Sequence, residues 1–407
     1  MFEKDLCTAL ESCLKQGVKR YGGMSGDFFV FSIPHVEKIV SLLKTNPMVV
    51  ETFDNKAANC GNVRYPINLK STANNLLLEC LEKPIDIVVK NLLNFLASDC
   101  SKGVAILAIS GVEVGKEIEL TSDISIVPFT SLPKSRMTES LDPPYLKLDY
   151  HLNRGDLPLH ANMATQTIDF GYLAPKAAII KRVELRPKVY ESLDSEHVYI
   201  DTSDLKELFD LLTLVKGISS VILGDWFEID KSVPFFKTHS MSYSIKLPDV
   251  FSPNSVLIEE IDIESFKLVI SSYFDLNYKV RKQLKIPLNR LNISRRKKNN
   301  IDRVIDLGIA YEALFLSDNP NKISLTLRKR VSSFFVKTDC GINMFEFMRT
   351  FYSCRSDAAH TGEVQNNYSI KGADTVISVE SLLDIADTVI SKSIIKIIQE
   401  RKGVSWW

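Results

Sequence analysis

Cysteine is scarce and scattered in this chain. There are seven in 407 residues (Cys7, Cys13, Cys60, Cys80, Cys100, Cys340 and Cys354), and no two form a C-x-x-C pair. That argues against a disulfide framework and a structural zinc site, and the odd count suits reduced thiols. Net charge is missing as well, because fifty basic residues balance fifty acidic ones. Any attraction for nucleic acid must then come from local clustering. No apolar run approaches the roughly 18 residues of a membrane span. The first residues, MFEKDLCTALESC, carry acids where a secretory signal needs basic residues followed by an apolar run. The expected setting is the cytoplasm, with no membrane partner. Neither G-x-x-x-x-G-K-[ST] nor G-x-G-x-x-G occurs, so nothing points to a nucleoside triphosphate or dinucleotide loop. The glycine-rich YGGMSGDFF (21–29) has no lysine in the phosphate position and reads as a turn.

What is present describes an ordinary globular protein: 45% hydrophobic and 25% charged residues, in a chain long enough for two or three domains. Residues 1–100 read mainly as helices, over 3–16, 34–45 and 72–98, the last interrupted at Pro84. From Gly103 the pattern changes to strands. GVAILAIS is a continuous apolar run, EIELTSDISIVPF alternates, and further strands are expected at 176–185, 197–201 and 234–247. One helix, DLKELFDLLTLVKG, opens at Ser203 or Asp204 and ends at Gly217. Residues 130–170 are rich in Pro, Asp and Asn and read as loop or irregular strand. After a linker at 248–255, helices are expected at 260–275, 278–292, 300–317, 323–337, 342–360 and 374–401. The fold class expected is thus a mixed α/β region over 1–250, itself one or two subdomains, followed by an all-α helical bundle over 255–402.

Three successive bundle helices bring charge to their apolar faces. Glu312 follows Ile305 by seven residues, Arg330 sits three after Leu327, and Arg355 extends the stripe of Phe345, Met348 and Tyr352. Buried charges must pair or reach water. One reading is therefore an internal network of Glu312 with Arg330 or Arg355. The other is a site, because His360 follows Arg355 by five residues. Five helical residues turn about 140° and rise about 7.5 Å, so the two side chains do not stack. They converge only if the helix ends near His360, as Gly362 permits, or if a second copy completes the site. Arg offers a fork of donors to phosphate oxygens and His exchanges protons near neutral pH, which together suit work on a phosphodiester.

The ordered blocks DRVIDLGIAYEALFL, ISLTLRKRV and FYSCRSDAAH resemble the Apea-like branch of the HEPN superfamily (higher eukaryotes and prokaryotes nucleotide-binding domain). The likeness spans about residues 255–400 and falls on Asp302, Arg303, Asp306 and Glu312, on Arg330, and on Tyr352, Arg355, Ser356 and His360. The resemblance implies a helical bundle that pairs as a homodimer or higher oligomer. It implies an endoribonuclease that needs no metal or cofactor, cleaving RNA (tRNA favoured) by 2′-hydroxyl attack. Arg355 and His360 would be catalytic, with Glu312, Arg330, Ser356, Tyr352 and Asp302 supporting them. Such proteins act as toxins or in antiviral and anti-phage defence. The alternatives are a non-catalytic HEPN module that dimerises and binds RNA or nucleotide to recruit another effector, and an antitoxin-type nucleotidyl acceptor. Thr361 stands where the family usually has glycine directly after the histidine.

Between Lys279 and Lys298 lie nine basic residues and no acidic one. Arg281, Lys282, Lys285, Arg295, Arg296, Lys297 and Lys298 are the residues expected to track an RNA backbone, against the plainer reading of a solvated helix face. Tyr352 is either a base-stacking ring or a packing residue. Asp302 and Asp306, one turn apart, either share a metal or support the fold. His151 and His160, with Asp149 and Asp156, form a weaker metal candidate than a polar loop. Trp406 and Trp407 end the chain as candidates to cover an interface.

Overall fold

The amino-terminal helices follow from their apolar spacing, and two of the five have side-chain caps. The computed structural model describes every residue except 24–25, 142–173, 198, 235–239, 246–253, 319–320, 374–375 and 401–407. The histidine pair near 151–160, most of the 248–255 linker and the terminal tryptophans lie outside the described residues. Helix α1 (Phe2–Gln16) leads into a hairpin of β1 (Val18–Gly23) and β2 (Gly26–Phe31), where a glycine-rich turn was expected. Next come α2 (Ile33–Leu43) and α3 (Pro47–Phe53), the latter capped by the Asn46 side chain accepting from the Met48 amide. A second hairpin, β3 (Lys56–Cys60) and β4 (Val63–Ile67), precedes α4 (Leu69–Cys80), opened by a reciprocal Asn68–Ser71 capping box. Helix α5 (Ile85–Ala97) starts directly after Pro84. Leu6, Leu10, Ile39, Leu43, Leu76 and Leu92 of these helices are fully buried together.

The central layer is a six-stranded sheet in the order β12-β11-β5-β9-β8-β7. Strands β5 (Ser101–Ser110), β7 (Ile118–Glu119), β8 (Ile124–Pro128), β9 (Ala177–Leu185), β11 (Val221–Ile229) and β12 (Ser240–Ile245) pair antiparallel throughout. The continuous apolar run of β5 has a reason: both faces are covered. Ala105, Leu107 and Ile109 join the main core, whereas Ile106 and Ala108 join a second cluster with Val127, Trp226 and Met137 of α6 (Arg136–Ser140). Strand β11 was not expected, because VILGDWFEI carries a glycine and two acids. Strand β10 (Val189–Tyr190) pairs with β3, and the expected strand at 197–201 is irregular chain in its described residues. Helix α7 (Ser203–Leu212) packs Leu205, Leu208 and Phe209 into the main core.

Beyond residue 253 the chain first adds β13 (Val256–Ile258), parallel to β6 (Val112–Val114). It then forms α8 (Glu260–Phe274), α9 (Tyr278–Arg296), α10 (Asn300–Phe315), α11 (Ile323–Phe334), α12 (Met344–Thr361) and α13 (Val379–Gln399). Asn277, Asn299, Asn343 and Ser378 each cap a helix through the side chain. This region is not all-α. A hairpin of β14 (Asn367–Ser369) and β15 (Val376–Ser378) occupies the α12–α13 connection, and α13 starts at Val379, five residues later than expected. Nor does apolar packing divide the chain near residue 250. One buried cluster runs from Leu6 through Leu107 and Leu208 to Ile398. The Asn292 amide of α9 also exchanges two hydrogen bonds with the Ser220 backbone, at 3.1 and 3.0 Å. Among the described residues, no helix is long and apolar enough to cross a membrane.

Candidate active site

The seam between α10 and α12 is built around a missing side chain. Gly308 lies in the middle of α10, and a Cβ there would stand 2.5 Å from Cγ of Arg355 and 3.1 Å from its Nε. The arginine stem therefore lies across the α10 backbone at Gly308. One turn later on the same face, Glu312 receives a hydrogen bond from Arg355 Nη2 to Oε2 at 3.1 Å. The Tyr352 hydroxyl donates to the other carboxylate oxygen at 3.2 Å. The guanidinium carbon sits 5.8 Å from the Tyr352 ring centroid, a weak cation–π contact. Burial, then the Glu312 carboxylate, push the Tyr352 phenol above its ordinary pKa, so it remains a donor. Arg355 Nε is buried and has no hydrogen-bond partner. The ion pair is still open to water, with 22% of the Arg355 side chain and 27% of the Glu312 side chain exposed.

His360 is exposed in the last turn of α12. Gly362 ends the helix in the left-handed region at φ 72°, its amide returning to the Ala358 carbonyl. Thr361, where the resemblance would place glycine, donates its hydroxyl to the Asp357 carbonyl at 2.7 Å and accepts from the Glu363 amide at 3.2 Å. The threonine thus reinforces the helix end and leaves the turn to Gly362. Arg355 and His360 share a helix but not a face, since about 140° of turn separates them. Ser356 is half-buried next to Arg355.

Other expected site residues lie elsewhere. Arg330 does not reach Glu312. It grips both carboxylate oxygens of Asp318, at 2.6 and 2.7 Å, and the Phe315 carbonyl at 2.6 Å, which fastens the end of α10. Hydrogen bonding to Arg330 holds the Asp318 carboxyl below its usual range. Asp302 is exposed in the first turn of α10, ten residues and about 15 Å of helical rise before Glu312. A carboxylate there is favoured by the helix dipole. Asp306 is buried and bonded to Arg290 at 2.9 Å.

The basic block of α9 divides in two. Arg295, expected on RNA, is only 9% exposed and spent within the fold. Its Nε and Nη2 bind the two oxygens of Asp387 at 2.7 and 2.6 Å, and its remaining bonds go to Ser391 and to the Thr213 and Ile218 carbonyls. Arg281 pairs with Glu207 of α7 at 2.9 Å and lies by the Phe274 ring. Lys285 faces Asp210, whose carboxyl burial pushes up to about 7 against the pull of that lysine. Arg296 and Lys297 are half-buried at the helix end, whereas Lys282 and Lys298 are exposed. As the fold places them, Lys282, Lys285 and Lys298 remain open for a polyanion and Arg281 and Arg295 do not.

Gly308 and the partner carboxylates Asp318, Asp387 and Glu207 are not among the residues expected from sequence. Gly308 did carry a signal, because glycine inside a helix costs about 1 kcal/mol relative to alanine and implies a close approach. Asp387 carried none. No family model matches the chain, and no curated protein or solved structure is significantly similar to it.

Proposed function

We propose that this chain is a metal-independent endoribonuclease of the HEPN type, active as a homodimer. The observation that carries the reading is the α10–α12 seam. Arg355 is seated over Gly308 and braced by Glu312 and Tyr352 while still reaching solvent, on the helix that ends in an exposed His360. A second copy brought against this seam would supply the histidine that one copy's helical angle turns away. In the reaction the RNA 2′-hydroxyl attacks the adjacent phosphorus and the 5′-oxygen leaves. The products carry a 2′,3′-cyclic phosphate and a 5′-hydroxyl. His360 transfers the proton, and Arg355 stabilises charge on the non-bridging oxygens. Exposed Lys282, Lys285 and Lys298 would hold the RNA backbone, with tRNA the favoured target and toxin or anti-phage defence the favoured setting. The α/β region would sense a trigger, confer specificity or restrain the nuclease.

The test is incubation of the full chain with tRNA and total RNA, in the presence of a chelator, with mapping of the new ends. The expected result is cyclic phosphate ends, lost in Arg355→Ala and in His360→Ala. Cleavage surviving both substitutions overturns this site, and cleavage abolished by the chelator overturns the metal-free mechanism. The Glu312–Arg355 ion pair favours a second reading, a dimeric RNA- or nucleotide-binding module, since the arginine already has a counter-charge. That reading predicts RNA binding and self-association with no cleavage at any protein concentration.

A further inference from the structure

Helix α12 carries a second arginine set on an aromatic ring. Arg328 of α11 holds its guanidinium carbon 4.6 Å from the centroid of Phe345, in the first turn of α12. Arg355 stands in the same relation to Tyr352 at 5.8 Å. Phe345 and Tyr352 are seven residues apart, so they lie on one face of α12, separated by about 10.5 Å of helical rise. Both rings and both arginines are half-buried. Two ring–guanidinium pairs thus follow one another along the helix that ends at His360.

Arg328 differs from its neighbours in what it lacks. Arg281, Arg290, Arg303, Arg330 and Arg355 of the same helices each pair with a carboxylate. Among the described residues, the Arg328 guanidinium meets the Phe345 ring and no hydrogen-bond acceptor, and its Nε is buried without a partner. Glu346, the acid next to that ring, lies 3.3 Å from Arg349 instead. A ring face attracts the charge but accepts none of its hydrogen bonds in the guanidinium plane. The edge of the guanidinium therefore keeps a fork of donors whose geometry matches two oxygens of a phosphate. Cations interleaved with rings along one face suit a single strand, whose phosphates and bases also alternate.

We propose that Arg328 and Phe345 form an RNA subsite beside the α10–α12 seam, with Arg328 on a phosphate flanking the scissile one. The subsite rests on the ribonuclease reading for its polyanion, an RNA strand that follows α12 from Phe345 towards Tyr352 and Arg355. Arg328 makes the contact. Phe345 is a positioning residue, acting through the guanidinium that it supports.

The experiment is fluorescence-anisotropy titration of labelled tRNA with the full chain carrying His360→Ala, which keeps the RNA intact, beside a cleavage assay of the wild type. Adding Arg328→Ala should weaken binding about tenfold, as loss of a charged hydrogen bond does. It should also lower the slope of log affinity against log salt by about 0.7, one phosphate on a single strand. Phe345→Leu should weaken binding less, and Phe345→Tyr, which keeps a ring under the guanidinium, should restore it. Lys329→Ala removes an exposed charge from the next position of α11 and should change binding little. Circular dichroism checks that every variant remains folded. Absence of RNA binding overturns the subsite, as does an affinity that Arg328→Ala leaves unchanged or that Lys329→Ala lowers equally. Wild-type cleavage with binding indifferent to Arg328 overturns the subsite and spares the ribonuclease reading. Binding that depends on Arg328 in a chain that cleaves no RNA supports the subsite and overturns that reading.

Discussion

Arg295 and Arg355 each leave a helix of the carboxy-terminal region to meet a carboxylate on a neighbouring helix, and their surroundings differ sharply. Arg295 is 9% exposed, and all three of its guanidinium nitrogens bond to Asp387, Ser391 or the Thr213 and Ile218 carbonyls of the chain that follows α7. Arg355 is 22% exposed and makes one hydrogen-bonded ion pair, lying over a helix backbone that glycine opens for it. The first arginine ties α7, α9 and α13 together. The second has donors left for something outside the fold. Saturation of donors, more than burial of the stem, separates a structural arginine from one that can work on a ligand.

This contrast can be broken by substitution. Arg295→Ala leaves Asp387 nearly buried without its partner, which costs about 3–5 kcal/mol. Urea unfolding should show that loss, and a cost as small as that of a surface pair would remove the distinction. Gly308→Ala gains up to about 1 kcal/mol of helix propensity but overpacks the Arg355 stem at about 1–3 kcal/mol. The net destabilisation should vanish when Arg355→Ala is added. A Gly308→Ala cost that is the same in both backgrounds would mean the arginine does not lie where the seam puts it.

Arg355→Ala alone should cost no more than about 1 kcal/mol, because its ion pair is solvent-screened. The same variant should lose all RNA cleavage, so stability and activity separate there and nowhere along the Arg295 tie. Lys282→Ala combined with Lys298→Ala should leave stability within about 0.5 kcal/mol. It should also reduce the salt dependence of RNA binding by about two counterions. An unchanged salt slope would return the basic block to the plain reading of a solvated face.

Helix positions were largely legible because their signals are local. Asn277, Asn299 and Asn343 stand at the caps of α9, α10 and α12, and Gly362 terminates α12 as its sequence context implied. Strand β11 was not legible: the VILGDWFEI run reads neither as alternating nor as uniformly apolar. It is a strand because β5 and β12 pair with it on both sides. The all-α expectation failed at 367–378 for a related reason, since a three-residue hairpin strand leaves almost no periodic trace.

The candidate site divides the same way. Glu312, Tyr352 and Arg355 were picked out by their stripes, and the structure brings them within hydrogen-bond reach of one another. Arg330 was grouped with them because it borders an apolar stripe, yet its partner is Asp318, just past the end of α10. The basic run misled for a plainer reason. Net charge along a segment counts side chains without their partners, and Glu207 and Asp387 lie 74 and 92 residues away from the arginines they neutralise.

The chain by itself determined the approximate course of most helices, and that an arginine and a histidine share one helix at an awkward angle. These follow from caps and periodicity, which act over a few residues. Only the tertiary structure decided which charges are spent and which are open, and that the core passes continuously across residue 250. An ion pair between residues distant in sequence exists only once packing has brought them together, and no local pattern records it.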